Sequence, residues 1–133
     1  MKYVLDACAL IALIKKEQGF ELVRDIIEKT SNEVLLHSVN LLEVYYELRR
    51  DLGEEADKLL TAVKYSPIDV IFLITDELIR VAARFKNSYK ISLGDSFVLA
   101  TAHISGGTVV SSDHHEFDII ENSKEKIAFC WMR

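Results

Sequence analysis

A single proline stands in a chain of 133 residues of which half are hydrophobic, and that composition excludes a disordered chain. Two cysteines, Cys8 and Cys130, are too few for a disulfide framework, so a reduced, cytoplasmic protein is expected. No apolar stretch is long enough to span a bilayer. No basic segment precedes the first apolar run, which Asp6 interrupts, so neither a membrane span nor a signal peptide is expected. Positive charge is also scarce. Sixteen Lys and Arg face 21 Asp and Glu, and the net charge of −5 argues against strong non-specific binding to duplex nucleic acid. It does not exclude a nucleic-acid enzyme whose acidic site is neutralised by metal. No internal repeat, low-complexity tract or linker interrupts the chain, and residues 1–133 read as one domain with a real core.

What is present alternates. Lys2 to Leu5, "EVLLHS" at 33–38, "IDVIFL" at 68–73 and "TVVSS" at 108–112 read as short apolar strands, and "KIAFCW" at 126–131 as a candidate last one. Between them lie helices from Ala7 to about Lys16, Phe20 to Glu28, through about Leu52 with Gly53 as a stop, and Glu54 to Val63. Two more span 75–88, capped by Thr75, and 92–105, closed by Gly106-Gly107. Short unbroken strands alternating with helices predict an α/β fold with a parallel sheet. Such sheets place ligand sites at the carboxyl ends of their strands.

Four acids fall where such a site forms. Asp6 ends the first strand and Asp113 follows "TVVSS"; Glu43 and Asp95 lie in the first turns of their helices. Each has a local alternative. Asp6 suits a helix N-cap, Asn40-Leu-Leu-Glu43 and Ser92-Leu-Gly-Asp95 have capping-box spacing, and Asp113 suits a turn. At about 100° per residue, apolar side chains cover nearly the whole circumference of the 92–105 helix, and Asp95 shares a face with Leu99 and Ala102. An ionised carboxylate there needs compensation. Glu43 shares its side with Glu47 and Arg50, which suits a solvated face. Acids gathered in one cleft repel, and a hard divalent ion such as Mg²⁺ or Mn²⁺, which prefers oxygen ligands, resolves the conflict. Bound metal lowers the pKa of a water and neutralises charge on an attacked phosphoryl group.

Four segments in this order, "YVLDACALIAL", "HSVNLLEVYYEL", "ISLGDSFVLATA" and "TVVSSDHHEFD", resemble the PIN-domain nucleases, and the chain's size resembles their VapC-type toxins. The resemblance covers nearly the whole chain. It implies a Rossmann-like three-layer α/β/α sandwich around a parallel sheet, and Mg²⁺- or Mn²⁺-dependent endoribonuclease activity. It assigns Asp6, Glu43, Asp95 and Asp113 to the four acidic places, with Asp6 and Asp95 as direct metal ligands. Ser111 matches a hydroxyl residue two places before the last acid. Cys8 stands where the family often has Ser or Thr, which puts that hydroxyl contact in doubt. The spacing of "DHHEFD" lets Asp118 compete with Asp113; the strand end favours Asp113. RNA as substrate, a small antitoxin protein as partner and a homodimer follow from the same likeness.

The remaining residues carry weaker signals. His114 and His115 are adjacent, so their side chains diverge, and His37 and His103 stand apart; no zinc site is expected. Lys15, Lys16, Arg49, Arg50, Arg80, Arg84 and Lys86 suit solvated faces or phosphate contacts, and Tyr45 and Tyr46 suit base stacking, though the helical spacing of Tyr45 also suits the core. The stripe Ile11, Ile14, Leu22, Ile26 and Ile27 exceeds what a small core needs, which suggests a surface for a second copy or an antitoxin peptide. Two other functions compete: a non-catalytic module of the same fold that binds RNA or protein, and a phosphotransfer domain. The second lacks the Asp expected at position 8 in phosphatases and the late strand-end Lys of receivers.

Overall fold

The structure is a computed structural model and describes residues 1–133. Five strands form one parallel sheet: β1 (Lys2–Leu5), β2 (Glu33–His37), β3 (Asp69–Ile71), β4 (Thr108–Ser111) and β5 (Phe129–Trp131). Their spatial order is β3-β2-β1-β4-β5. Val4 lies beside Leu35 on one flank and Val109 on the other. The helices are α1 (Ala7–Lys15), α2 (Phe20–Glu28), α3 (Ser38–Leu52), α4 (Asp57–Lys64), α5 (Asp76–Ser88), α6 (Leu93–Ser105) and α7 (His114–Glu121). A 3-10 turn at Gly53–Ala56 joins α3 to α4.

Strand side chains alternate between two faces. Leu5, Val34, Leu36 and Val110 pack with α1, α2, α3 and α4. Val4, Leu35 and Val109 pack with α5, α6 and α7 through Phe85, Leu99 and Phe117. The result is the expected three-layer α/β sandwich around a parallel sheet. Connections after β1 and β2 cover one face, and those after β3 and β4 cover the other. The order therefore reverses between β1 and β4, where the carboxyl ends of two adjacent strands open into a crevice. No helix is long and apolar enough to cross a membrane.

Three expectations change. Residues 114–121 form α7, where the sequence suggests no helix; its first turn is polar and only Phe117 and Ile120 are buried. The strand expected over 68–73 pairs only at Asp69–Ile71, and Phe72 and Leu73 are 74% and 73% exposed. A sheet edge buries only one flank of its strand, so apolar residues beyond the last ladder pair are left in solvent. The α1 and α2 stripe is not surplus: Ile11, Ile26 and Ile27 are buried, and Ile14 and Leu22 pack against them. Exposed apolar surface lies instead at Leu42, Tyr65 and Phe72 to Ile74.

Candidate metal centre at the sheet switch point

A cleft of about 290 Å³ opens between β1 and β4, and Asp6, Cys8, Glu43, Tyr46, Glu47, Ser92, Asp95, Asp113 and Glu116 are among its lining. Asp6 and Asp113, the residues before α1 and α7, thus come together with Glu43 of α3 and Asp95 of α6. Six carboxylates and no basic side chain face this space. A larger cavity of about 430 Å³ beside β3 is lined by Leu41, Leu60, Val63, Ile68, Val70, Phe72 and one charged residue, Lys64. Size does not select the site; the carboxylates do.

Three of the four acids are also helix caps. Asp6 is the N-cap of α1, with Oδ1 accepting from the Ala7 N–H at 2.8 Å. Oδ2 accepts from the Ser111 hydroxyl at 2.8 Å and from the Cys8 thiol at 3.3 Å. Burial raises the Asp6 pKa, these hydrogen bonds oppose the rise, and the charge of Asp113 adds to it. Asp95 sits in a true capping box: its N–H donates to Ser92 Oγ at 3.0 Å, and its Oδ2 accepts from the Ser92 N–H at 3.4 Å. Burial, and next the charge of Asp6, push the Asp95 carboxyl up to about 7. Asp113 caps α7, accepting from the Glu116 N–H at 3.2 Å, while its own N–H donates to Ser111 Oγ at 2.9 Å. Ser111, fully buried, therefore links the first acid to the last.

Cys8, at the position where a hydroxyl residue is common, is hydrogen-bonded within the group of residues that holds the first acid. Its thiol bonds Asp6 and sits 3.4 Å from Ser111 Oγ, and its sulfur accepts from the Ser112 N–H at 3.4 Å. Burial and the nearby Asp6 push this thiol up to about 12, so it is a neutral donor. Asp118 is elsewhere. It pairs with His114 Nδ1 at 2.7 Å on the exposed side of α7 and does not line the cleft.

Glu43 departs most from its local reading. Asn40 caps nothing; α3 begins earlier, with His37 as N-cap accepting from the Val39 N–H through Nδ1. Asn40 instead donates from Nδ2 to Glu43 Oε1 at 2.8 Å and to the Gly94 carbonyl at 3.0 Å. The Glu43 pKa is raised by burial, with the Asn40 bond opposing and the charges of Asp6 and Glu47 adding. Sequence reasoning gives Asn40 only a local capping role, assigns Gly94 no role and passes over Glu116. A glycine inside a helical pattern at position 94 is the one signal that points to a close approach.

None of the four acids pairs with a Lys, Arg or His; the ion pairs of the protein lie elsewhere, including Glu47 with Arg50 and Glu116 with His115 on the rim. No group of three or more His, Cys, Asp or Glu side chains is already drawn together around one ion position. The donor set is nevertheless all oxygen, and it carries unneutralised like charge. Both features fit a hard divalent cation that keeps several waters and takes few protein ligands.

Solved structures share this architecture. The VapBC2 complex from Rickettsia felis bound to a DNA fragment from its promoter superposes with TM-score 0.72 at 17% identity, covering 98% of each chain. DNA-bound VapBC from Salmonella typhimurium gives TM-score 0.72 at 17% identity over 100% of this chain and 99% of that one. The Mycobacterium tuberculosis VapC20 toxin, described as cleaving the sarcin-ricin loop, gives 0.66 at 18% over 80% and 86%. No curated protein matches by sequence. The PIN domain profile matches residues 3–122, from the first residues of β1 to just past α7, and with that span the chain belongs to the PIN domain family.

Proposed function

We propose that this PIN-domain protein is a divalent-metal-dependent endoribonuclease, the toxin of a type II toxin–antitoxin pair. In this reading it acts on RNA in the cytoplasm, as a homodimer restrained by a small antitoxin protein. The observation that carries it is the set of four carboxylates without a cationic partner, lining one cleft at the sheet switch point. The likeness in fold to VapBC complexes supports the toxin assignment.

Asp6 and Asp95 would hold Mg²⁺ or Mn²⁺, which when bound supplies a Lewis acid for the phosphodiester and a water of lowered pKa. Asp6 is locked at both oxygens, by Ala7 and by Ser111 with Cys8, so its carboxylate is oriented before any ligand arrives. Asp95 is held by Ser92, and its pKa near 7 means that cation and proton compete for it around neutrality. Glu43 has Oε1 tied to Asn40 and leaves Oε2 to orient a water or take its proton. Asp113, which lines the cleft, has Oδ1 tied to the α7 backbone and leaves Oδ2 without a hydrogen-bond partner in the chain. Accessory roles fall to Ser111, which positions Asp6; Asp118, bound to His114, has none at the site.

Purified protein tests this. Mg²⁺ or Mn²⁺ should support RNA cleavage, EDTA should abolish it, and Asp6→Asn or Asp95→Asn should lower it on the order of 100-fold or more. Mn²⁺ should raise the Tm of the native chain and not of either variant. Cleavage that persists in EDTA refutes the metal-dependent reading. Neither cleavage nor Mn²⁺ stabilisation would instead identify a non-catalytic PIN-fold module that binds RNA or protein.

A further inference from the structure

We propose that Asn40 is the positioning residue for Glu43, and that Asn40 and Gly94 together fix the spacing between Glu43 and Asp95. This rests on the reading of the cleft as a metal-dependent nuclease site.

Asn40 is fully buried on α3, and its two amide hydrogens go to Glu43 Oε1 and to the Gly94 carbonyl. Gly94 immediately precedes Asp95. One side chain therefore connects the acid of α3 to the first turn of α6. Its own Oδ1 is buried without a partner. An unmade hydrogen bond in the interior destabilises a fold, so this amide is not explained by packing.

Gly94 makes the second half of the arrangement. A Cβ there would lie 2.3 Å from Glu43 Oε1 and 2.4 Å from Cδ and Oε2. Only a residue without a side chain lets the first turn of α6 pass so close to the carboxylate. Asn40 and Gly94, far apart in sequence, thus meet at the same carboxylate.

The donor chemistry matters. An Arg or Lys at position 40 would orient Glu43 and also neutralise it, removing negative charge that a cation needs. A neutral amide orients the carboxylate and leaves its charge in the cleft. Oε1 is held while Oε2 stays free, which gives Glu43 a single productive orientation.

The test is a double-mutant cycle with Asn40→Leu, Glu43→Ala and the pair, reading RNA cleavage and Mn²⁺ affinity by calorimetry, with Tm as the folding control. N40L should lower kcat at least about 10-fold, with KM for RNA moving less than about 3-fold. In the E43A background N40L should change neither rate nor Mn²⁺ affinity by more than about 2-fold. Gly94→Ala, pushing on Glu43 from the other side, should behave as N40L does. Losses of equal size in both backgrounds would assign Asn40 to helix packing and overturn the proposal. Should N40L unfold, Asn40→Ser runs the same cycle. Should the native chain cleave no RNA, the nuclease reading fails by itself. The positioning role is then decided by a crystal structure of the Asn40 variant: Glu43 turned away from Gly94 upholds it, and an unmoved Glu43 overturns it.

Discussion

Asp95→Asn should make the metal-free protein more stable at alkaline pH, although it removes a residue of the proposed catalytic site. Burial, and next the charge of Asp6, push the Asp95 pKa from 3.8 to about 7. Between these values the folded state keeps a proton that the unfolded chain has lost. Stability therefore falls as pH rises from about 4 to about 7 and stays low above it. Integrated from pH 5 to pH 8, the effect is on the order of 2 kcal/mol for this one group. Asparagine cannot ionise, and its Oδ1 can still accept from the Ser92 N–H, so the cap of α6 survives. The assay is urea denaturation in EDTA at both pH values, for native chain and variant. Taking the difference between the two proteins cancels groups remote from Asp95, such as His114, whose pKa is raised by Asp118 and the Arg133 carbonyl. The native chain should lose on the order of 2 kcal/mol relative to D95N between pH 5 and pH 8. No difference, or a native chain that gains on D95N with rising pH, would show that Asp95 carries no electrostatic strain and would remove the main physical reason for a cation here.

Cys8 should resist alkylation. With its thiol pushed up to about 12, the thiolate is nearly absent at pH 8, so labelling of the folded protein should be on the order of 1000-fold slower than of the urea-unfolded chain. Peptide-resolved mass spectrometry reads this, and comparable rates would show an open, ionisable thiol. Phe117→Ala should cost about 3–5 kcal/mol in denaturant unfolding, because Phe117 is fully buried and anchors α7 against β5 beside Phe129. A loss below about 1 kcal/mol would mean that α7 is not docked.

The sheet and three of the four acids were legible for one reason. Each acid follows a short apolar run or a serine cap, and these mark strand ends and helix starts by local pattern alone. The 92–105 helix announced itself by being apolar all round, because it packs against the sheet on one side and against α5 and α3 on others. What stayed hidden was tertiary. Nothing near Asn40 says that its amide meets a carbonyl of α6, and the capping-box spacing suggested a local role that His37 fills instead. The α7 helix was missed because eight residues with a polar first turn offer too little periodicity. The length of β3 was overestimated because an apolar run does not reveal that its strand lies at an edge.

The pairing of β1 with β4 sets Tyr3 beside Thr108, so the crevice is closed by a contact between strands far apart in the sequence. A growing polypeptide still held on the ribosome owns Asp6 and Glu43 long before it owns Asp95 and Asp113. Fragments from interrupted synthesis carry half a charge cluster and no wall to set it against. The carboxylate cluster is therefore complete only after Asp95 and Asp113 have emerged and β4 has paired with β1.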